Sequence, residues 1–517
     1  MGEETSRELK EGLATVTSGT LLVILGSACL VVFTFFSRVL LVRTASADWN
    51  SLSIEITLAT VLVSVGGLGL PDAVARSLPH AATPAEQRTI VRTALVATVL
   101  VAAALAAGLW LAAPGLAHAL GISNLQVGFE FFAVAVFASL VSGIIAGIFR
   151  GFADVRPNAL FVQILSPGLF LAFLLVARYA PSFGLSYGSA LVAYVSAIAL
   201  TLAGLGAYTV HRLPRLLPRG PAAPEASGRL WRFTAPLFVA AVMLTVSGLG
   251  DTLVLSVYDS SQVGLYTATL TLARLLPIGI TSTAYIFLPV ATRFLRRGNP
   301  QAVQLIYVTV TKWLLAFSIP LGLLFLVVPG RSLEFVYGPS YSRIIAPLQL
   351  AVAGAFFATI LGPAYAALIA YGRVGLLAIN ASAATLTDLA LALVLVPRYG
   401  YVGAALSWGV STFLMAALCL TELAVQHSVH PFRRHLEVPL LSTLVPVALL
   451  LWLARGHLSE WELPVAGLLA AVVFVLAVFL TKSIDEGDRL LLGAVERLLG
   501  RKVPFARRLA RWTGNAG

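Results

Sequence analysis

The sequence predicts an all-α polytopic membrane protein with about 14 transmembrane helices, two parallel six-helix lobes followed by two C-terminal helices. Three observations predict it. Hydrophobic residues make up 58% of the chain and charged residues 11%, against about 45–50% and about 25% in soluble proteins. Such a chain cannot cover its apolar area with polar surface, so lipid is its solvent. Apolar stretches recur at close to the roughly 20 residues that a helix needs to cross a bilayer. The first twelve of them run twice as a set of six.

The first span, 17–36, follows a polar segment, 1–16, with no secretory cleavage site. The second, 52–70, ends in Gly66-Gly67-Leu68-Gly69-Leu70 and a proline. The third, 90–113, is preceded by Arg88. The fourth, 129–149, carries Gly143 and Gly147, which with Gly151 share one face and allow close helix contact. Pro167 interrupts the fifth, 159–176, and the sixth is 187–210. Residues 211–232 read as a basic linker, because Pro214, Pro218, Pro221 and Pro224 forbid a continuous helix. The second set is 233–257, 264–290, 305–328, 345–370, 374–396 and 402–425, with Pro236, Pro277, Pro320 and Pro363 as kink points. Spans 438–453, short and holding Pro439 and Pro446, and 463–480 close the membrane part. The tail, 485–517, alternates Leu490, Leu491, Val495 and Leu498 with Arg489, Glu496 and Arg497, the pattern of an amphipathic helix on a membrane surface.

The domain reading is therefore a cytoplasmic segment (1–16), an N-lobe (17–210), a linker (211–232), a C-lobe (233–425), two extra helices (438–480) and a basic tail (485–517). An offset of about 213–221 residues supports the repeat. It aligns Arg38 with Asp251, Leu70-Pro71 with Leu288-Pro289, and Ile148-Phe149-Arg150-Gly151 with Ile369-Ala370-Tyr371-Gly372. Six spans per half is an even number, so the halves run parallel.

With the N-terminus inside, roughly 26 basic residues fall in inner loops and tails. Seven fall outside: Arg38, Arg43, Arg178, Arg331, Arg343, Arg398 and Arg455. This places both termini in the cytoplasm. It also accounts for the net charge of +12 through contact with anionic lipid heads rather than nucleic acid. Cys29 and Cys419 lie within spans, so no disulfide framework exists, and no metal-ligand spacing, nucleotide loop or nucleophile constellation is found. The chain reads as a monomeric non-enzyme without a cofactor.

Ionisable residues inside a membrane face a cavity or a partner, because exposure to lipid costs about 2.5–3.5 kcal/mol each. Arg274, followed by Pro277 in an apolar segment, is the leading cavity residue. Lys312, followed by Trp313, either faces the cavity or anchors at headgroup level. Arg38 and Glu55, near the outer ends of the first two spans, either face inward or snorkel. Asp251 and Asp388 are candidates for gating or ion coupling, as is Glu55, and repeat symmetry would bring Arg38 and Asp251 together as a gate.

Asp251-Thr-Leu-Val-Leu, Gln262-Val263-Gly264-Leu265-Tyr266, Gly147-Ile-Phe-Arg150-Gly151-Phe and the Gly66–Leu70 run resemble the polysaccharide-transporter branch of the multidrug/oligosaccharidyl-lipid/polysaccharide flippase superfamily. The resemblance implies two six-helix lobes around a V-shaped cavity, and movement of a polyprenyl-linked oligosaccharide to the outer leaflet of the cytoplasmic membrane. Glycan polymerase or ligase machinery would be its partner. Arg274, Lys312 and Arg38 would then meet the anionic head of the lipid carrier. Peptidoglycan-precursor flippases share the plan; drug/cation antiporters have twelve spans and acidic cavities; a non-transporting scaffold for glycan assembly is the remaining alternative.

Overall fold

A computed structural model describes residues 3–44, 46–122, 124–180, 184–217, 225–456, 459, 461–483 and 488. Every regular element among them is helical, as a chain whose backbone has no water to bond requires. Two compact units divide it, Met1–Gly264 and Leu265–Gly517. The boundary lies beyond the expected linker because the seventh predicted span packs on helices of the N-terminal unit rather than opening the second.

The first unit contains α1 (Glu3–Thr44), α2 (Ser46–Gly66), α3 (Leu70–Ser77), α4 (Pro84–Leu120), α5 (Leu125–Gly151), α6 (Ser166–Tyr179), α7 (Tyr187–Leu216) and α8 (Glu225–Tyr258). The second contains α9 (Val263–Ala273, which starts at the boundary), α10 (Leu275–Arg296), α11 (Pro300–Val327), α12 (Pro329–Tyr337), α13 (Ile345–Ile360), α14 (Ala364–Ala370), α15 (Val374–Tyr399), α16 (Tyr401–His427), α17 (Arg434–Ala454) and α18 (Glu462–Leu480). Twelve described segments are long and apolar enough to cross a membrane. The seventh and eighth predicted spans fall on α8 and on α9 with α10.

Four spans are interrupted: the second where the sequence reads it as continuous, the fifth, eighth and tenth close to Pro167, Pro277 and Pro363, which the sequence marks as kink points. Leu68 and Gly69 take positive φ values of 51° and 67° and separate α2 from α3. Residues Asn158–Leu165 form a π-helical stretch ahead of Pro167, which sits in the first turn of α6, where its missing N–H costs little. The eighth span breaks at Arg274, between α9 and α10. The tenth breaks at Gly362, whose φ is +78° and whose successor is Pro363. The carbonyl of Leu361 freed there accepts from the Tyr307 hydroxyl at 2.5 Å. Other prolines leave their helices unbroken: α11 runs through the predicted kink point Pro320, α7 runs through Pro214 of the predicted linker to Leu216, and α17 runs through Pro439 and Pro446. A proline removes one intrahelical bond, which the following turns tolerate in a membrane. The rest of the linker, 218–224, and the tail apart from Asp488 lie outside the described residues.

Small residues set the closest contacts. A β-carbon at Gly147 would lie 2.6 Å from the Pro71 carbonyl oxygen, and one at Gly151 would lie 2.7 Å from the Leu78 side chain. Of the glycine face read from α5, Gly147 thus seats α3 and Gly151 seats Leu78 of the turn after it. Asp72 of α3 pairs with Arg150 of α5 at 2.9 Å, an exposed contact that adds little energy. In the second unit α13 crosses α16 at Gly354 and Gly409. A β-carbon at Gly409 would lie 2.7 Å from the Leu350 carbonyl oxygen, and one at Gly354 would overlap the Gly409 backbone. Backbone cannot move aside as a side chain can. Gly409→Val should therefore cost at least about 1–3 kcal/mol, read as a lower midpoint of thermal unfolding in detergent, whereas Gly143→Ala, which meets open space, should leave it unchanged.

Candidate functional site

Arg38 is one of the charged residues that the sequence reads as facing inward or snorkelling. It is half-buried and lines a cavity of about 250 Å³ in the first unit, together with Thr34, Ser37, Ser166 and Tyr194. The walls come from α1, α2, α7 and the π-helical stretch with α6. The π stretch matters because its wide turn ends at Ser166 and Pro167, both of which face this space. Trp49 forms part of the wall and is fixed from behind: its indole N–H donates to the Gly264 carbonyl at 2.9 Å. Asn50 grips the same turn twice, donating to Ser260 O at 2.7 Å and accepting from Gly264 N at 2.7 Å. A β-carbon on Gly264 would lie 2.9 Å from Asn50 Cα. The Gln262-Val263-Gly264-Leu265-Tyr266 motif therefore positions the wall of the cavity.

A second cavity of about 270 Å³ in the same unit is lined by Ile54, Thr57, Leu58, Leu116, Thr252 and Ser256, among others. Asp251 is fully buried beside it, and its Oδ1 accepts from the Thr252 N–H at 2.6 Å and hydroxyl at 3.2 Å. Arg38 lines one space and the residues after Asp251 line the other. Glu55 is also fully buried, which removes the snorkelling alternative. Its carboxyl lies against Tyr187 of α7 and against the bare face of Gly128 on α5.

In the second unit Arg274 occupies the turn between α9 and α10, half-buried, with its guanidinium 5.8 Å from the centre of the Trp408 ring on α16. That distance is within cation–π range. Discontinuous membrane helices that carry a charge at the break are a recurring way to expose backbone and charge to a polar ligand. Asp388 is 1% exposed on α15, on the helix that also carries Asn380, which donates to Glu422 Oε2 of α16 at 2.8 Å.

Lys312 corrects the sequence reading. It neither lines a cavity nor reaches headgroups: it is fully buried and forms an ion pair with Asp488 at 2.7 Å. Its ammonium also donates to the Ser483 carbonyl at 2.7 Å, and the Trp313 indole N–H donates to the other oxygen of Asp488 at 2.6 Å. The chain just beyond α18 therefore folds onto α11. The Asp488 and Trp408 partners were not found from the sequence, since neither lies near its cation along the chain. The one available signal for Asp488 was its place in the first acidic group after the last span.

Among the described residues, no group of three or more His, Cys, Asp or Glu side chains is placed to hold a metal ion. Residues 9–295, more than half of the chain, match the family model described as polysaccharide biosynthesis protein. No curated protein matches the sequence. Among solved structures, the lipid II flippase MurJ in an inward closed conformation is similar with a TM-score of 0.71 at 14% identity, over 91% of this chain and all of that one. An inward-facing multidrug resistance MATE family transporter of the MOP superfamily gives 0.62 at 13% identity, over 80% of this chain and 98% of that one. A MOP superfamily transporter from Pyrococcus furiosus gives 0.54 at 14% identity, over 80% and 95%. At these identities the likeness establishes the fold, which is that of MOP superfamily transporters.

Proposed function

We propose that this chain, which belongs to the polysaccharide biosynthesis protein family, flips a polyprenyl-(pyro)phosphate-linked oligosaccharide across the cytoplasmic membrane for glycan assembly. Its family and fold make it a multi-pass membrane protein of the transporter and flippase type. The observation that carries the cargo reading is Arg38, a permanent cation facing a cavity otherwise lined by hydroxyls and apolar groups.

A lipid-linked glycan has an anionic head, a polar sugar chain and an apolar tail. The tail can stay in lipid, so a transporter has to shelter only the head and sugars. Arg38 offers the head charge-assisted hydrogen bonds, and Thr34, Ser37, Ser166 and Tyr194 offer neutral partners to sugar hydroxyls. At about 250 Å³ the space is below the roughly 300–1,000 Å³ of pockets that enclose drug-sized ligands. It takes a phosphate and part of one sugar in this conformation, and an oligosaccharide needs it widened. Arg274, at the break between α9 and α10, is a separate candidate cation of the second unit. Both termini lie in the cytoplasm under this reading, and nothing covalent happens to the cargo.

Binding tests it before transport does. A polyprenyl-pyrophosphate glycan at 100 times its Kd should stabilise the purified protein by about 2.7 kcal/mol, seen as a raised unfolding midpoint. The uncharged polyprenol should not. Equal stabilisation by both would remove the phosphate from the recognition and the cationic site with it.

A further inference from the structure

Glu55 is 0% exposed on a membrane helix, and its surroundings can be counted proton by proton. The Tyr187 hydroxyl is hydrogen-bonded to Glu55 Oε1 and also donates to the Asn124 carbonyl at 3.0 Å. Glu55 Oε2 is buried and has no hydrogen-bond partner among the described residues. A tyrosine hydroxyl has one proton to give, and a carbonyl can only accept. If Glu55 were ionised, one tyrosine proton would have to serve two acceptors, and Oε2 would hold part of a charge with no donor near it. If Glu55 is protonated the line is complete: Glu55 donates to Tyr187, and Tyr187 donates to Asn124. Oε2 is then the oxygen of a neutral acid, which is far cheaper to leave unpaired than a charged one.

The cradle is built for this group. A β-carbon on Gly128 would overlap both the Glu55 carboxyl and the Tyr187 hydroxyl, so the carboxyl fills the space a side chain would take. Tyr187 is fixed in turn, its backbone N–H donating to Asp48 Oδ2 at 3.1 Å. The other elements packed on α2 bring up Arg38 from α1, His118 from α4, Glu130 from α5, Asp251 from α8 and Asp259 from the turn after it. None of these is a hydrogen-bond or ion-pair partner of Glu55 among the described residues.

We propose that Glu55 is a proton-binding site, occupied in this conformation, and that its proton is released when the Glu55–Tyr187–Asn124 line opens during the transport cycle. Release leaves a carboxylate on Glu55 and passes H⁺ to water, with no other bond made or broken. Glu55 lies one residue from the walls of both cavities, since Ile54 lines one and Ile56 the other. Movement of those walls is therefore felt at the carboxyl. The coupling rests on the transport reading; the protonation does not.

Infrared spectroscopy of the purified protein in lipid near neutral pH separates the two. The wild type should show a protonated-carboxyl C=O band that Glu55→Gln lacks and that Tyr187→Phe shifts without removing. Superimposable bands in wild type and Glu55→Gln would overturn the protonation. If Glu55→Gln fails to fold, the Tyr187→Phe shift decides alone, an unshifted band overturning the assignment. In proteoliposomes that flip a lipid-linked glycan, a pH gradient should change the wild-type rate several-fold and leave that of Glu55→Gln unchanged. An equal response in both would overturn the coupling. Absence of flipping in the wild type would instead count against the cargo, with the infrared result still standing.

Discussion

Asp488→Ala is expected to destabilise the protein by about 3–5 kcal/mol, the usual cost of stranding one member of a buried ion pair. Lys312 and Asp488 are 0% and 1% exposed at their side chains, so water cannot take over from the lost carboxylate. Losing Asp488 also frees the Trp313 N–H. The readout is the midpoint of thermal unfolding in mild detergent, measured against wild type at equal expression. Replacing both partners by apolar residues of similar volume, Lys312→Met with Asp488→Leu, should recover most of the loss, because it removes the desolvation penalty of both charges together with their attraction. A single mutant as stable as wild type would mean that Lys312 is neutralised by another group. An unrescued double mutant would mean that the segment after α18 docks through more than this pair.

Arg38→Ala should lower the flipping rate about 10- to 100-fold, the kinetic equivalent of one lost hydrogen-bonded contact to a charged group. Rates are compared at equal folded protein, with the thermal unfolding midpoint measured alongside, because the side chain also belongs to the wall of the cavity. Arg38→Lys should keep part of the activity, because it keeps the charge and loses the planar fork. Arg274→Ala in the second unit should also lower transport, with the Trp408 ring losing its cation. Wild-type rates from both alanine variants at wild-type abundance would remove the cationic recognition.

Much of this was legible in the chain because apolar length and charge placement are imposed by lipid. The span positions follow from that constraint, and so does the glycine face of α5, whose Gly147 seats α3 and whose Gly151 seats Leu78 just after it. Where helices break was less legible. Pro439 and Pro446 leave α17 intact, while Pro277 and Pro363 lie just beyond the interruptions at Arg274 and Gly362. A proline costs one hydrogen bond, and whether that ends a helix depends on what packs beside it. The charged residues were found, but not their roles. The sequence reads Lys312, beside Trp313, as a cavity residue or an anchor at headgroup level; both side chains donate instead to Asp488, about 175 residues later in the chain. Glu55 is a candidate for gating or ion coupling from the sequence alone, but the proton count at its carboxyl needs Tyr187, Asn124 and Gly128 brought around it.

The most direct test of the cargo is leaflet accessibility in proteoliposomes. A fluorescent polyprenyl-pyrophosphate oligosaccharide is placed in both leaflets, and a membrane-impermeant quencher or glycan-cleaving enzyme is added outside. Protein-dependent exposure of the inner pool, faster than for the same label on an ordinary phospholipid, is the expected result. An inner pool that stays protected with and without an imposed ion gradient, while a peptidoglycan precursor is exposed in the same vesicles, would contradict it.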